Sequence, residues 1–173
     1  MEVEIRNAKP QEHAVLGKIM VNVYSSLEGF PRQEDQPDYY KMLANIGELT
    51  KNPHTEIFVA VDPKGKVMGG VVYFSDMKYY GSGGTATKEL HAAGFRLLAV
   101  DRDYRGKKIG RLLTQRCIDR ALEDGREQLI IHSTKAMQTA WDMYERMGFE
   151  RSKDLDFMQG RLPVFGFRMR FKK

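Results

Sequence analysis

Apolar positions along the chain repeat in two different periods, and these periods predict a mixed α/β protein. A continuous apolar run from Leu97 to Val100 is typical of a strand that is covered on both faces. A short loop follows it, and then apolar residues recur at three- and four-residue steps, the spacing of an amphipathic helix. The apolar face of that helix consists of Ile109, Leu112, Leu113, Cys117 and Ala121. The stretch from Phe95 to Ala121 therefore predicts a buried strand, a tight turn and a helix.

The same periods place the other elements of the chain. Strands are predicted at residues 3–5, 56–62, 67–75, 95–100, 127–133, from 149, and at 163–171, and helices at 10–27, 39–49, 109–121 and 134–147. Gly69 and Gly70 fall inside a strand and predict a bulge or a close backbone contact. Thr134 is expected to cap the last helix, and Gly148 to end it. The order β-α-α-β-β-β-α-β-α-β-β predicts a mixed sheet with helices on both faces.

Length and composition fit one soluble domain over residues 1–173. The 173 residues are enough for a substantial core, and 42% hydrophobic with 29% charged residues is ordinary for a globular protein. The single cysteine excludes a disulfide within the chain, so a reducing, cytoplasmic location is expected. The first residues, MEVEIRNAK, lack the apolar segment of a secretory signal, and no apolar run is long enough to span a membrane.

The net charge of +5 favours polyanionic ligands, which include phosphate-bearing coenzymes and nucleic acids. The basic residues are scattered along the chain, without the aromatic-basic interleaving of an RNA-binding sheet or a recognition helix. We therefore expect no nucleic-acid partner. The histidines show no paired ligand spacing, so we expect no metal site. Ser133 has no histidine–acid partner that the sequence identifies, which argues against a serine nucleophile.

The loop from Arg105 to Arg111 carries the clearest candidate chemistry. It ends at a predicted helix start, where unpaired N–H groups and the positive end of the helix dipole attract anions. Gly106 and Gly110 allow close approach to the backbone, and Arg105, Lys107, Lys108 and Arg111 add positive charge. This combination suits a phosphate or diphosphate. On the loop alone an ordinary solvated turn is the slightly better interpretation. Neither G-x-x-x-x-G-K-[ST] nor a G-x-G-x-x-G after a strand is present, which excludes two familiar phosphate loops.

Two segments resemble motifs of the GNAT superfamily of acetyl-coenzyme A-dependent N-acetyltransferases. The loop matches R-x-x-G-x-G at Arg105 and Gly110, with Lys108 at the place of the middle glycine. A second segment matches A-x-x-x-Y-x-x-x-G-F at Ala140, Tyr144, Gly148 and Phe149. The two motifs stand in the family's order, and so do the predicted elements over nearly the whole chain. The resemblance implies the GNAT fold, with a mostly antiparallel sheet that is splayed between its fourth and fifth strands.

The resemblance also implies roles for individual residues. Tyr144 would protonate the leaving thiolate, and a backbone N–H near Leu98 or Ala99 would polarise the thioester carbonyl. Acetyl-coenzyme A would be the cosubstrate. Its expected binding residues are Leu98, Ala99, Val100, Arg105, Gly106, Lys107, Lys108, Ile109, Gly110, Arg111, Ala140 and Tyr144.

The acceptor is expected to be a primary amine of a small molecule or peptide, attacking directly within a ternary complex. In the family it lies between the first two helices and the hairpin side of the sheet. Aromatic residues cluster in those segments, and we take Tyr24, Tyr39 and Phe74, with Glu28, as candidates for contact with it. A homodimer is left open as a further partner.

The base that would deprotonate the amine is not determined by the sequence. Gly94, Phe95 and Arg96 stand where many relatives carry a glutamate. Glu89, His91, Glu28 and a chain of water molecules remain as alternatives. Met137 also stands where relatives often have an asparagine. These departures keep a second hypothesis open, a catalytically silent acyl-coenzyme A-binding or regulatory module.

Overall fold

The computed structural model describes residues 2–171 of the chain. The strands are β1 Glu4–Asn7, β2 Thr55–Val61, β3 Val67–Phe74, β4 Ala92–Val100, β5 Gln128–Ser133, β6 Glu150–Arg151, β7 Phe157–Gln159 and β8 Leu162–Arg170. The α-helices are α1 His13–Ser25, α2 Pro37–Ala44, α3 Ile109–Glu123 and α4 Gln138–Met147. The strands run in the order β1-β2-β3-β4-β5-β8-β6, and β7 pairs with β8. This is the mixed α/β architecture that the sequence predicts.

Helices cover both faces of the sheet, as expected. On one face, α1 and α2 supply residues such as Leu16, Met20 and Leu43 to the core. On the other face, α3 and α4 supply Leu113, Cys117 and Tyr144 among others. Cys117 is fully buried there, and burial raises the pKa of its thiol. The inert buried thiol is what a position on the apolar face of the helix predicts.

The sheet opens between β4 and β5, its only parallel pair in the described part of the chain. Pairing of these strands ends at Gly94 and Ile130. Past that point β4 contains a bulge, in which Leu97 and Leu98 stand opposite Val71 of β3. Leu97 takes a φ of 63°, which bends the strand. The rest of β4 therefore has no strand partner on the β5 side, and the predicted splay is confirmed.

The glycine pair of β3 has the close contacts that its position predicts. A Cβ at Gly69 would lie 2.5 Å from the carbonyl oxygen of Ala99, and one at Gly70 would lie 2.7 Å from Cδ1 of Leu16. Strand β4 and helix α1 thus approach the backbone of β3 more closely than a side chain would allow. The two glycines therefore let β4 and α1 pack tightly against β3.

Three details of the sequence interpretation were wrong. The second helix ends at Ala44, because Asn45 leaves the helical region and residues Ile46–Lys51 form a 3-10 turn instead. Thr134 makes no capping hydrogen bond; a 3-10 turn follows it, and α4 begins only at Gln138. Strand β7 was not predicted, because its three residues are too few for a periodic pattern. Gly148 ends α4 in the left-handed conformation, as expected.

None of the helices within residues 2–171 combines the length and the apolar character that crossing a bilayer requires.

Candidate active site

A cavity of about 940 Å³ lies where β4 and β5 separate. The half of β4 that has no partner on the β5 side, from Phe95 to Val100, forms its floor. The loop and first turn of α3 close one end, and aromatic residues of α1, α2 and the following loops close the other. The end of β5 and the start of α4 form the remaining wall. The cavity therefore joins the two regions that the sequence singled out, the basic loop and the tyrosine of α4.

The end of the cavity at α3 has uncapped backbone N–H groups and basic side chains, which can attract an anion. The first N–H groups of α3, from Ile109 to Arg111, have no partner within the helix, and no side chain caps them. The preceding residue, Lys108, has a left-handed φ of 63°. A turn from the left-handed to the helical region points successive N–H groups to one side, the geometry of an anion-binding nest. The lining residues here are Arg105, Gly106, Lys108, Ile109, Gly110 and Arg111. Lys107 is exposed and does not line the cavity.

A tyrosine of α1 holds the floor of the cavity in place. Leu98, Ala99 and Val100 all line the cavity. The hydroxyl of Tyr24, on α1, donates a hydrogen bond to the carbonyl oxygen of Leu98 at 3.0 Å. This contact holds the bulged part of β4 in place, although β4 and β5 have diverged at this point and no longer pair. A ligand lying in the gap can pair with the backbone of β4 where a strand otherwise would.

Tyr144 lies across the gap from β4, on α4. Its ring packs edge-on against Phe95 at 5.9 Å and Phe149 at 5.7 Å between centroids. The residue is 5% exposed, yet its hydroxyl hydrogen-bonds to no residue within the described range 2–171 and belongs to the cavity wall. Burial raises the pKa of Tyr144. The side chain therefore keeps its proton at neutral pH and is free to donate it to a group in the cavity. Ala140, one helical turn earlier, also lines the cavity.

Three aromatic rings form a cluster at the other end of the cavity. Tyr24 lies 5.5 Å from Phe30 and 6.3 Å from Tyr39, and Phe30 lies 5.8 Å from Tyr39. All three line the cavity. Burial raises the pKa of Tyr39 to about 12, so this end is both apolar and uncharged at the rings. We refer to Tyr24, Phe30 and Tyr39 as the aromatic cluster.

Two residues that the sequence placed with the acceptor do not reach this cavity. Phe74 is buried in the core, where its ring packs against Tyr80 at 5.6 Å. Glu28 lines a separate, smaller pocket of about 340 Å³ beside Lys135. Of the acceptor candidates, only Tyr24 and Tyr39 are brought together by the fold.

The base candidates of the sequence are also placed elsewhere. Glu89 forms an ion pair with the buried Arg168. Neither Glu89 nor His91 lines the cavity. Met137 does, at the start of α4.

The fold adds three residues to the site that the sequence analysis did not select. Arg96, Tyr80 and His132 line the cavity next to the aromatic cluster. Nε2 of His132 lies 2.9 Å from the carbonyl oxygen of Leu155, which can only accept, so Nε2 donates. Nδ1 then accepts a hydrogen bond from the hydroxyl of Tyr80 at 2.9 Å. Burial lowers the pKa of His132, which keeps the ring neutral. Tyr80 and His132 are 52 residues apart, and no local motif signals their pairing.

Within the described range of residues, no three histidine, cysteine, aspartate or glutamate side chains are grouped so that they could hold a metal ion.

Comparison with known proteins gives a consistent result. A family model described as acetyltransferase (GNAT) family matches residues 20–149. A GNAT-family acetyltransferase from Staphylococcus aureus Mu50 superposes with a TM-score of 0.74 at 17% identity, over 99% of this chain and 100% of that one. No curated protein matches the chain significantly.

Two further structures contain the coenzyme. The PaiA N-acetyltransferase of Thermoplasma acidophilum, in complex with coenzyme A, has a TM-score of 0.74 at 12% identity, with 99% and 100% of the chains covered. The protein yncA of Salmonella typhimurium, with its cofactor acetyl-CoA, has a TM-score of 0.67 at 14% identity, with 99% and 95% covered. At these identities the likeness establishes the fold.

Proposed function

The chain belongs to the GNAT family of acetyltransferases, and from that premise we propose that it transfers the acetyl group of acetyl-coenzyme A to a primary amine. The acceptor is a small molecule or a peptide, and residues 1–173 act as one catalytic domain. One observation carries the proposal. The part of β4 beyond its pairing with β5, the uncapped start of α3 and the residue Tyr144 all line a single cavity.

The donor end of the cavity fits the coenzyme. The diphosphate would accept hydrogen bonds from the N–H groups of Ile109 to Arg111, with Arg105 and Lys108 supplying positive charge. Lys107 would contribute only long-range attraction from the surface. The pantetheine arm would lie along Leu98, Ala99 and Val100 in place of the missing strand. In the related structures described above, coenzyme A or acetyl-CoA is the bound molecule, which supports this choice of donor.

The chemistry requires three elements of the site. The amine nitrogen attacks the thioester carbon and forms a tetrahedral oxyanion. A backbone N–H at Leu98 or Ala99 would stabilise that charge, and such a donor is worth about 3 kcal/mol of barrier. The carbon–sulfur bond then breaks, and Tyr144 donates its proton to the coenzyme A thiolate. The acylated nitrogen loses its second proton, which returns Tyr144 to the neutral phenol. Attack would be direct, within a ternary complex that has the donor at the α3 end of the cavity and the acceptor at the aromatic end.

Two routes are open for the proton of the amine. An alkylammonium has a pKa of about 10.4, so a base must take its proton. None of the cavity-lining residues within the described range is an aspartate or glutamate. Either a water molecule takes the proton, or it passes to the hydroxyl of Tyr80, whose own proton moves to Nδ1 of His132. The second route leaves His132 protonated on both ring nitrogens.

The first test is binding of the donor. Acetyl-coenzyme A should raise the melting temperature of the protein, and the effect should be lost in the variant Gly110→Asp. A Cβ at Gly110 has ordinary contact distances of 3.8 Å or more, so this variant should fold. Its carboxylate would stand where the diphosphate binds. Gly110→Ala, which adds no charge, should retain part of the shift.

The second test is turnover. Release of free thiol with a panel of primary amines, with the acetylated product identified by mass spectrometry, would establish the transfer. A melting shift without thiol release from any amine would instead indicate the silent coenzyme-binding module. No melting shift with acetyl-coenzyme A would contradict both.

A further inference from the structure

Arg96 lies on β4 at the acceptor end of the cavity, and its charge faces inward. Its Nη1 donates a hydrogen bond to the carbonyl oxygen of Tyr80 at 3.1 Å, and the guanidinium carbon lies 5.9 Å from the Tyr80 ring centre. The residue is half-buried and lines the cavity. The contact to Tyr80 uses one of its five donors and leaves the others for a ligand.

No carboxylate balances this charge. None of the ion pairs among residues 2–171 involves Arg96. Within the same part of the chain, the cavity wall contains no aspartate or glutamate. Arg168, which is buried, has both Glu89 and Asp154 as partners. Taking a charge out of water without a partner is unfavourable, so an unbalanced guanidinium inside a binding cavity indicates an anionic ligand.

The phosphates of the donor cannot serve as that anion. Val100 is the fourth residue after Arg96 along β4, and the basic loop begins only beyond Val100. At about 3.3 Å per strand residue this is a distance of roughly 10 Å or more. Arg96 instead adjoins Tyr80 and Gly81, whose Cα would place a Cβ 3.0 Å from Nη1. Arg96 therefore lies at the end of the cavity where we place the acceptor.

The aromatic cluster lies at the same end and defines the rest of the ligand. Burial raises the pKa of Tyr39, and the charge of Arg96 opposes that rise, which reflects how near the two side chains are. Apolar rings beside one unpaired guanidinium fit a molecule with an apolar group and an anionic group. Arg binds a carboxylate through two parallel hydrogen bonds, a geometry that a cationic polyamine cannot use.

We propose that the acceptor is a primary amine that also carries a carboxylate and an apolar side chain, as an apolar or aromatic amino acid does. The carboxylate pairs with Arg96, the side chain packs on the aromatic cluster, and the amine is left to attack the thioester. This inference rests on the proposed acetyl transfer, and it adds the substrate class and a residue that determines specificity.

Amines that differ only in the carboxylate give the test. The pairs are L-phenylalanine with phenethylamine, L-tyrosine with tyramine, and L-methionine with 3-(methylthio)propylamine, with spermidine as a polycation. For the wild type we expect kcat/KM for the carboxylated member to exceed that of its twin by roughly 10²-fold, in the range of losses measured for buried charged hydrogen bonds. Spermidine should be the poorest acceptor.

Variants of Arg96 assign that preference to its side chain. Arg96→Gln should remove the preference, because kcat/KM for each amino acid should fall to about that of its decarboxylated twin in the same variant. Arg96→Lys should keep part of the preference, because it keeps the charge but not the planar fork. Arg161→Gln is the matched control, since Arg161 is exposed and does not line the cavity. It should behave as wild type.

The outcomes separate this inference from the proposed function. If the wild type acetylates the decarboxylated twins or spermidine as well as the amino acids, the inference is overturned and acetyl transfer stands. If no amine is acetylated, transfer fails, and the anion site is judged by calorimetric binding of the three amino acids to the coenzyme A complex. Binding that Arg96→Gln abolishes then supports the site. Absent binding, or equal binding by both proteins, overturns it.

Discussion

Replacing Tyr144 by phenylalanine removes one oxygen atom, and it should lower the rate of catalysis while leaving the stability of the fold nearly unchanged. The variant loses only the hydroxyl, and the ring keeps its edge-on contacts with Phe95 and Phe149. Because that hydroxyl hydrogen-bonds to no residue in the described part of the chain, the folded state loses no internal hydrogen bond. We therefore expect the free energy of unfolding to change by less than about 1 kcal/mol.

The effect on catalysis should be far larger. A positioned proton donor typically accelerates a reaction by about 10²–10⁴-fold. This corresponds to about 3–5 kcal/mol of activation free energy. Since burial raises the pKa of Tyr144, the wild-type donor is present throughout the neutral range, and the defect should be of similar size from pH 6 to pH 8.

The assay is single-turnover release of coenzyme A thiol with enzyme in excess, which reports the chemical step without product release. Titration with acetyl-coenzyme A should give similar affinities for variant and wild type. Tyr73→Phe is the matched control. Tyr73 is fully buried outside the cavity, and its hydroxyl donates to Asp124 at 2.8 Å. That variant should lose about 1.5–3 kcal/mol of stability and retain single-turnover rates.

One result would refute the assignment of Tyr144. A single-turnover rate within a few-fold of wild type, in a variant that still binds acetyl-coenzyme A, would show that the thiolate leaves without this proton. A rate loss accompanied by an equal loss of coenzyme affinity would point to binding instead of proton transfer.

Three further outcomes follow from backbone geometry and charge. Lys108→Gly should bind coenzyme A within a few-fold of wild type by calorimetry, whereas Lys108→Val should bind much more weakly, because a β-branched residue resists the left-handed conformation; equal binding would show that this conformation is not needed. Hydrogen bonds from Arg6 hold the pKa of Glu12 at about 2, below its ordinary 4.5. The pair should therefore contribute up to roughly 3 kcal/mol above pH 4.5, and this should be lost as the pH falls toward 2. Denaturant unfolding of wild type and Glu12→Gln should differ at pH 7 and converge at low pH; a difference independent of pH would contradict the assignment. Gly69→Ala should lower the free energy of unfolding by about 1–3 kcal/mol, since its Cβ would meet the carbonyl of Ala99, and an unchanged melting temperature would show that β4 can yield.

Much of the donor half of the site is readable from the sequence because its residues are neighbours in the chain. The apolar run of β4, the loop from Arg105 and the apolar face of α3 are consecutive, and each has its own periodicity. Tyr144 is readable for the same reason, since it lies within a ten-residue motif that ends at Phe149. Where local signals were weak, the interpretation was wrong. The apolar spacing continues past Ala44 although the helix ends there.

The amino-acid sequence by itself determined the order and type of the main elements, and it singled out the basic turn before α3 and Tyr144 as site candidates. Only the tertiary structure shows which side chains line the end of the cavity that we assign to the acceptor. The bulge at Leu97 sets which way the β4 side chains point, and it carries no local signal. Arg96, Tyr80 and His132 come from separate segments of the chain, and only the folded sheet brings them to one cavity. Periodicity records which face of an element is buried, but the composition of a cavity depends on contacts between elements that are distant in the chain.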